Sequence, residues 1–141
     1  MYFFGEYSVS FSGKGRLVVP KKIRSAIGTS EEFTLTKGFD SCLAGYRDTD
    51  WKKATEELLS ISITNNKNFD LKRHMFSSAV ELVVDEQGRV VVPQNLLQYA
   101  DLSDKKQAVI IGVGDHFEIW EEKKWLEYVK KIDPVINKKE E

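Results

Sequence analysis

The chain has 141 residues, of which 41% are hydrophobic and 30% are charged, as is typical of a soluble globular protein. Its net charge of −1 excludes a uniformly basic nucleic-acid binder, and no apolar run approaches the ~20 residues that a membrane span requires. The amino terminus lacks a secretory signal, and the single cysteine, Cys42, excludes an intrachain disulfide, so we expect a cytoplasmic protein.

The first part of the chain has the pattern of a small module rich in strands. Tyr7 to Phe11 alternates apolar with polar residues, as a half-buried strand does. Ser12 to Gly15 contains two glycines and predicts a turn, after which the apolar segment 16–19 forms a returning strand that Pro20 ends. The module then continues with a short helix at 21–27, strands at 32–36 and 41–46, and a helix from Trp51 to Leu59.

The same module returns in the second half of the chain. Gly15-Arg16-Leu17-Val18-Val19-Pro20 is matched 73 residues later by Gly88-Arg89-Val90-Val91-Val92-Pro93. The flanking residues also match in order, which indicates a duplication rather than a chance recurrence. The second copy predicts strands at 80–84, 89–92, 107–113 and 116–120 and helices at 94–100 and 122–132.

Neither copy buries enough apolar surface to fold alone, so we expect the two to share one core. We predict an α+β fold, mostly β, in which two hairpins pack around a pseudo-two-fold axis as one β-barrel with short peripheral helices. The predicted organisation is an N-terminal half at 1–60, a linker and connecting helix at 61–78, a C-terminal half at 79–133 and a tail at 134–141.

The two copies differ in charge. Residues 1–30 contain five basic residues against the single carboxylate of Glu6, whereas residues 80–103 contain Arg89 against four carboxylates. Since local potential governs the encounter with a polyanion, the first copy is predicted to bind DNA and the second to serve as an acidic scaffold. The predicted DNA-binding residues are Lys14, Arg16, Lys21, Lys22 and Arg24.

The two hairpin turns differ at one position that bears on function. The turn motif comprises Ser12, Gly15, Asp85, Gly88 and Arg89. Asp85 can accept turn N–H groups or pair with Arg89, so a structural role is favoured for that arginine, although a DNA contact stays open. Arg16 has Ser12 in place of the aspartate, so we expect it to be free to contact a phosphate or the O6/N7 edge of guanine. The alternative is an arginine that merely covers its own hairpin.

These residues resemble a known family. The strand, turn and helix around Gly15-Arg16-Leu17 and Asp85-x-x-Gly88-Arg89-Val90 are similar to the SpoVT/AbrB swapped-hairpin fold, and two such copies in one chain resemble the MraZ family of bacterial transcriptional regulators. Further matches are Gly5-Glu6-Tyr7, Lys37-Gly38-Phe39-Asp40-Ser41-Cys42-Leu43 and Gly112-Val113-Gly114-Asp115 with Phe117-Glu118-Ile119-Trp120. The family's Asp-x-x-x-Arg element is complete only in the second copy.

The resemblance implies a DNA-binding regulator that acts on short G-rich direct repeats upstream of its own division and cell-wall gene cluster. It also implies a homo-oligomeric ring that associates with the nucleoid. The lysines and Arg24 would contact phosphates, each contributing roughly −0.9 to the salt slope. Because one subunit offers few such contacts, several subunits on an array of repeats would supply the remaining affinity.

Other functions are less well supported by the sequence. There is no nucleophile elbow or P-loop, Gly112-Val113-Gly114 lacks the helix start that a phosphate requires, and neither His74 nor His116 lies near Cys42, so we predict no enzyme, metal, cofactor or small-molecule substrate. An AbrB/antitoxin-like protein-binding module is the nearest alternative, although the segment after Pro134 is short for a toxin-binding arm. The acidic second copy could also be a partner-binding surface.

Aromatic residues occupy equivalent places in the two copies. Tyr46 and Trp51 correspond to Trp120 and Trp125, and core packing is favoured over base stacking. The apolar segment 1–4 is predicted either to pack between subunits or to form an ordinary edge strand.

Overall fold

The computed structural model describes residues 1–60 and 66–138, which form eight strands and five helices. The first copy contains β1 (Glu6–Ser10), β2 (Arg16–Val18), α1 (Lys21–Ile27), β3 (Glu32–Lys37), β4 (Leu43–Tyr46) and α2 (Asp48–Leu59). The connecting helix is α3 (Asn66–Ser78). The second copy contains β5 (Val80–Val83), β6 (Arg89–Val91), α4 (Gln94–Tyr99), β7 (Gln107–Gly112), β8 (Phe117–Glu121) and α5 (Glu122–Lys138).

The two copies exchange their hairpins within the one chain. Strand β1 of the first copy pairs with β7 of the second, and β5 of the second pairs with β3 of the first. The six-stranded sheet has the order β1-β7-β8-β4-β3-β5, which reads the same when the two copies are interchanged. This arrangement confirms the α+β class and the tandem swapped-hairpin halves around a pseudo-two-fold axis.

The strands do not form the predicted closed barrel. Strands β2 and β6 pair with each other as a separate two-stranded sheet, here called the ribbon. Each ribbon strand has three residues, and Pro20 or Pro93 follows shortly after it. Proline has no N–H to donate, so it cannot extend the ladder. The described residues therefore form an open sheet and a ribbon rather than one continuous barrel.

Both copies contribute to one apolar core, which explains why they fold together. Leu17 and Val90 point inward from the ribbon and are buried, as are Leu35 and Ile110 in the large sheet. The equivalent aromatic pairs pack outside this core, with ring centroids 5.5 Å apart for Tyr46 and Trp51 and 5.2 Å apart for Trp120 and Trp125. Trp120 belongs to a second, smaller apolar cluster, and the other three are half-buried.

The amino-terminal segment forms the edge pairing that is one of the two arrangements left open by the sequence. Phe3 is buried and exchanges two 2.8 Å backbone hydrogen bonds with Gly114, as an edge segment does. Its neighbours Met1, Tyr2 and Phe4 are exposed. A Cβ on Gly112 would lie 2.1 Å from the Phe4 nitrogen, so the glycine at position 112 allows this close approach.

The last helix is longer than the sequence predicts. Helix α5 passes through Pro134 and ends at Lys138, so the first part of the predicted tail is helical. The predicted linker residues 61–65 and the tail residues 139–141 lie outside the described residues, and the predicted domain boundaries stay a prediction. None of the helices over the described ranges has the length and apolar content needed to cross a membrane.

Candidate nucleic-acid interface

The ribbon presents one face to the core and the other to solvent. Leu17 faces Val90 across the ribbon, and both are buried. The alternate positions point outward, where Arg16 lies opposite Val91 and Arg89 lies opposite Val18. Because side chains alternate between the faces of a sheet, these four residues form a single outward surface, here called the ribbon face.

The two arginines of the duplicated motif are therefore close in space. Arg16 and Arg89 occupy diagonal positions on the ribbon face, and diagonal neighbours in an antiparallel pair lie ~7–8 Å apart. Their separation in sequence conceals this proximity, since each belongs to a different copy. The exchange of hairpins brings them together. The resemblance to the swapped-hairpin fold implies this exchange, whereas alternation and turn residues alone contain no signal for it.

The turn of the second copy holds Arg89. The Asp85 carboxylate accepts hydrogen bonds of 2.9 Å from the backbone N–H groups of both Gln87 and Arg89. Its other oxygen lies 3.6 Å from Nε of Arg89, while the guanidinium also donates to the side-chain oxygen of Gln87. The backbone N–H of Arg89, with that of Gln87 and the positive charge of Arg89, lowers the pKa of the Asp85 carboxyl. This arginine is thus engaged by its own turn.

The turn of the first copy has the same backbone but leaves its arginine free. The N–H of Ser12 donates to the carbonyl of Arg16 at 2.7 Å, as that of Asp85 does to Arg89 at 2.9 Å. Within the described part of the chain, the Arg16 side chain has no hydrogen-bond or ion-pair partner, and it is exposed. Lys14 is exposed at the tip of the same turn. A serine is too short and carries no charge to hold the guanidinium, so Arg16 is available to a ligand.

Two glycines join the turns to the opposite ribbon strand. The carbonyl of Gly15 accepts a 2.8 Å hydrogen bond from Val92, and the carbonyl of Gly88 accepts an equivalent bond from Val19. Gly15 has φ +73°, and a Cβ there would lie 2.4 Å from the Val92 oxygen. Glycine is therefore required at this position both by the backbone conformation and by the close approach of the two chains.

Arg24 differs from the other predicted DNA-binding residues because it is already paired. Its guanidinium forms hydrogen bonds of 2.8 and 2.6 Å to one oxygen of Glu31 and donates at 3.3 Å to the carbonyl of Asp85. The residue therefore links α1 to the turn of the second copy. The charge pattern of the sequence did not reveal this contact, because Glu31 lies one position beyond the basic segment 1–30.

Lys21 and Lys22 lie on α1, which begins at the opposite end of the ribbon from Lys14. Both lysines are exposed, and Nζ of Lys22 lies 5.9 Å from the centroid of the Phe4 ring. The structure thus places Lys14 and Arg16 together at one end of the ribbon and the α1 lysines near the other end. The exposed positive charges flank the ribbon instead of occupying one separate basic lobe.

Comparison with known proteins shows which family this chain is similar to. A family model described as "MraZ protein, putative antitoxin-like" matches residues 2–74 and again residues 75–141. A protein named Transcriptional regulator MraZ from Limosilactobacillus fermentum is 42% identical over 126 residues, which cover 89% of this chain and 85% of that protein. Proteins of the same name from Dictyoglomus thermophilum and Roseiflexus sp. are 41% and 37% identical, over 98% and 93% of this chain and 92% and 89% of theirs, respectively.

Proposed function

Because the chain belongs to the MraZ family, we propose that it is a sequence-specific DNA-binding transcriptional regulator and not an enzyme. It acts on short G-rich direct repeats upstream of its own division and cell-wall gene cluster. It binds them as a ring of identical subunits and is thereby associated with the nucleoid. Relatives that share about two fifths of its residues carry the name of a transcriptional regulator, which supports the regulatory role.

The observation that carries the proposal is Arg16 on the ribbon face, whose side chain has no hydrogen-bond or ion-pair partner among residues 1–60 and 66–138. A two-stranded ribbon is narrow enough to enter the major groove of B-DNA. Arginine there donates two hydrogen bonds to O6 and N7 of guanine, the commonest specific contact in protein–DNA complexes. The same arginine in the second copy is engaged by Asp85 and Gln87. We therefore assign base recognition to Arg16 and turn stabilisation to Arg89.

The exposed lysines position the ribbon without specifying a sequence. Lys14, Lys21 and Lys22 are exposed and lie at either side of the ribbon, where they can neutralise phosphates. Arg24 contributes less, because its charge is paired with Glu31. So few contacts give one subunit a weak affinity at physiological salt. Several subunits on successive repeats raise the affinity through effective concentration.

Exposed apolar surface supports the assembly of subunits into a ring. Tyr2 and Phe4 are 76% and 61% exposed, and α5 presents Leu126, Val135 and Ile136 to solvent. Large exposed apolar side chains that cluster mark protein contacts. Two different surfaces on each subunit meet head to tail, as a cyclic ring of more than two subunits requires.

Fluorescence anisotropy on DNA from upstream of the gene tests the regulator proposal. Wild type is compared with Arg16→Ala and with Arg89→Ala, which alters the equivalent residue of the other copy. We expect wild type to prefer this DNA over a scrambled duplex, Arg16→Ala to lose the preference, and Arg89→Ala to keep most of it. The affinity for both duplexes should fall as salt is raised. If Arg16→Ala binds as wild type does, or if wild type shows no preference, the proposal is wrong.

A second candidate is an AbrB/antitoxin-like protein-binding module. Helix α5 favours it, because none of the described residues of that helix is buried and its last part carries exposed apolar side chains. The two candidates differ in what the chain binds specifically. Retention of one DNA sequence by the purified chain favours the regulator. A stoichiometric complex with a small basic protein, without a DNA preference, favours the binding module.

A further inference from the structure

The two ends of the ribbon face differ, and we propose that this asymmetry lets the protein recognise a non-palindromic DNA sequence in one orientation. Arg16 and its cross-strand neighbour Val91 form one reading pair, in which Arg16 recognises guanine and Val91 contacts the C5-methyl group of an adjacent thymine. The equivalent pair, Arg89 with Val18, does not read a base. This inference rests on the proposed DNA-binding function and adds a specificity-determining residue from the half of the chain predicted to be an acidic scaffold.

The position of Val91 supports its part in the pair. It lies directly opposite Arg16, and side chains at directly opposite positions have Cβ atoms ~4.5–5.5 Å apart. Both project from the same outward face, so a groove that admits Arg16 also admits Val91. Successive base pairs lie ~3.4 Å apart along the helix axis, so two side chains at this separation can reach base pairs one or two steps apart.

The chemistry of Val91 points to thymine. Val91 is 51% exposed although it belongs to a ribbon whose inward residues are almost fully buried. Among the four bases, only thymine presents a methyl group in the major groove, and apolar side chains recognise it by contact. A branched apolar side chain beside a free guanidinium therefore matches a thymine next to a guanine.

The asymmetry of the ribbon face comes from the difference between the two hairpin turns. Val18 is 52% exposed, so the two valines are equivalent in exposure as well as in position. The arginines are not equivalent, because Arg89 is held by Asp85 and Gln87 whereas no described residue holds the Arg16 side chain. A ribbon with two free arginines would be two-fold symmetric and would recognise a palindrome. With one arginine engaged, the ribbon recognises a non-palindromic site, and identical subunits in one orientation then read direct repeats.

The test begins with DNA that the protein itself selects. The full chain is used to enrich binding sites from a randomised duplex pool, and each thymine of the enriched site is then replaced singly by deoxyuridine, which removes only the methyl group. For wild type, we expect a non-palindromic site and a loss of about fourfold in affinity at one thymine beside a guanine, from burial of one methyl group.

Variants then assign the methyl contact to a residue. Val91→Ala should bind the thymine and deoxyuridine duplexes equally, whereas the matched control Val18→Ala should keep the wild-type difference. Thermal unfolding and mass measurements verify that both variants fold and assemble as wild type does. The deoxyuridine effect on wild type needs no variant, so it tests the methyl contact even if Val91→Ala is unstable.

The outcomes separate this inference from the proposed function. If no sequence is enriched, the DNA-binding proposal itself fails. If a site is enriched but deoxyuridine has no effect on wild type, or Val91→Ala remains as sensitive as wild type, the reading pair is wrong and the regulator stands. The proposed recognition in one orientation would be wrong if the enriched site were a palindrome. It would also be wrong if Val18→Ala, like Val91→Ala, no longer distinguished the thymine duplex from the deoxyuridine duplex.

Discussion

At the scale of single residues, one position separates the free arginine from the engaged one. Asp85 accepts two turn N–H groups and faces Arg89, whereas Ser12 occupies the same place before Arg16. We expect Ser12→Asp to hold Arg16 in the same way and to weaken specific DNA binding tenfold or more, given ~1–3 kcal/mol for a bidentate guanine contact. Anisotropy on the preferred duplex measures the loss. Ser12→Asn is the matched control, since it accepts the same N–H groups without a charge and should retain binding.

A second residue-scale prediction concerns pH. The ring nitrogens of His116 lie 2.8 Å from Asp115 and 3.0 Å from Glu118, and the ring stacks on Tyr46. Burial acts to lower the pKa of His116, but hydrogen bonds and charge attraction from Glu118 and Asp115 outweigh it and raise the pKa above 6.5. A raised pKa stabilises the fold fully below the unfolded value of about 6.5, and the stabilisation is lost as pH rises through the folded value.

The expected result is a steeper fall in the free energy of unfolding above about pH 6.5 for wild type than for His116→Gln. Denaturant unfolding at a series of pH values measures the difference. His74→Gln serves as the control, because His74 contacts the backbone carbonyl of Gly38 and no carboxylate partner is seen for it among the described residues. Parallel pH curves for wild type and His116→Gln would contradict the assignment.

At the scale of the elements, the ribbon depends on close contact between its strands and the opposite turns. Gly13, Gly15 and Gly88 all have positive φ, so an alanine at any of them costs ~1–2 kcal/mol in backbone strain. A Cβ on Gly13 would meet nothing within 4 Å, one on Gly88 would lie 3.0 Å from the movable Arg24 side chain, and one on Gly15 would lie 2.4 Å from the Val92 backbone oxygen. We expect destabilisation to increase from Gly13→Ala to Gly88→Ala to Gly15→Ala. Urea unfolding measures the loss in the free energy of unfolding for each variant. Equal losses in the three variants would mean that backbone strain, and not the contact of the added Cβ, determines the destabilisation.

The secondary-structure elements also show how much of the fold and of the candidate site can be predicted from the sequence. Alternation, turn glycines and prolines predict the strands and short helices because those signals act between neighbouring residues. The pairing of β1 with β7 joins segments about a hundred positions apart, and nothing local specifies it. For the same reason, the sequence predicts a free Arg16 from Ser12 but not its place beside Val91. The Arg24–Glu31 pair spans only seven positions and is missed for another reason, because Glu31 lies just beyond the basic segment. The long-range contacts that build the candidate site come from the exchange of hairpins.

At the scale of the whole molecule, assembly determines how strongly the chain binds an array of repeats. If Tyr2 and Phe4 contact a second subunit, Tyr2→Ser/Phe4→Ser should lower the assembled mass in light scattering. Affinity for one repeat should stay unchanged, because the ribbon face is intact. Affinity for a multiple-repeat duplex should fall by ~10²–10⁴, the gain that linkage of binding sites supplies.

The matched control for this variant is Phe39→Ser, which removes an exposed aromatic side chain from another part of the surface. We expect it to leave both the mass and the multiple-repeat affinity unchanged. A double variant that assembles as wild type does would place the subunit interface elsewhere. Loss of single-repeat affinity in the double variant would instead indicate that the amino-terminal segment positions Lys22, which lies over the Phe4 ring, for a phosphate contact. The single-repeat duplex therefore distinguishes a role in assembly from a role in the DNA contact itself.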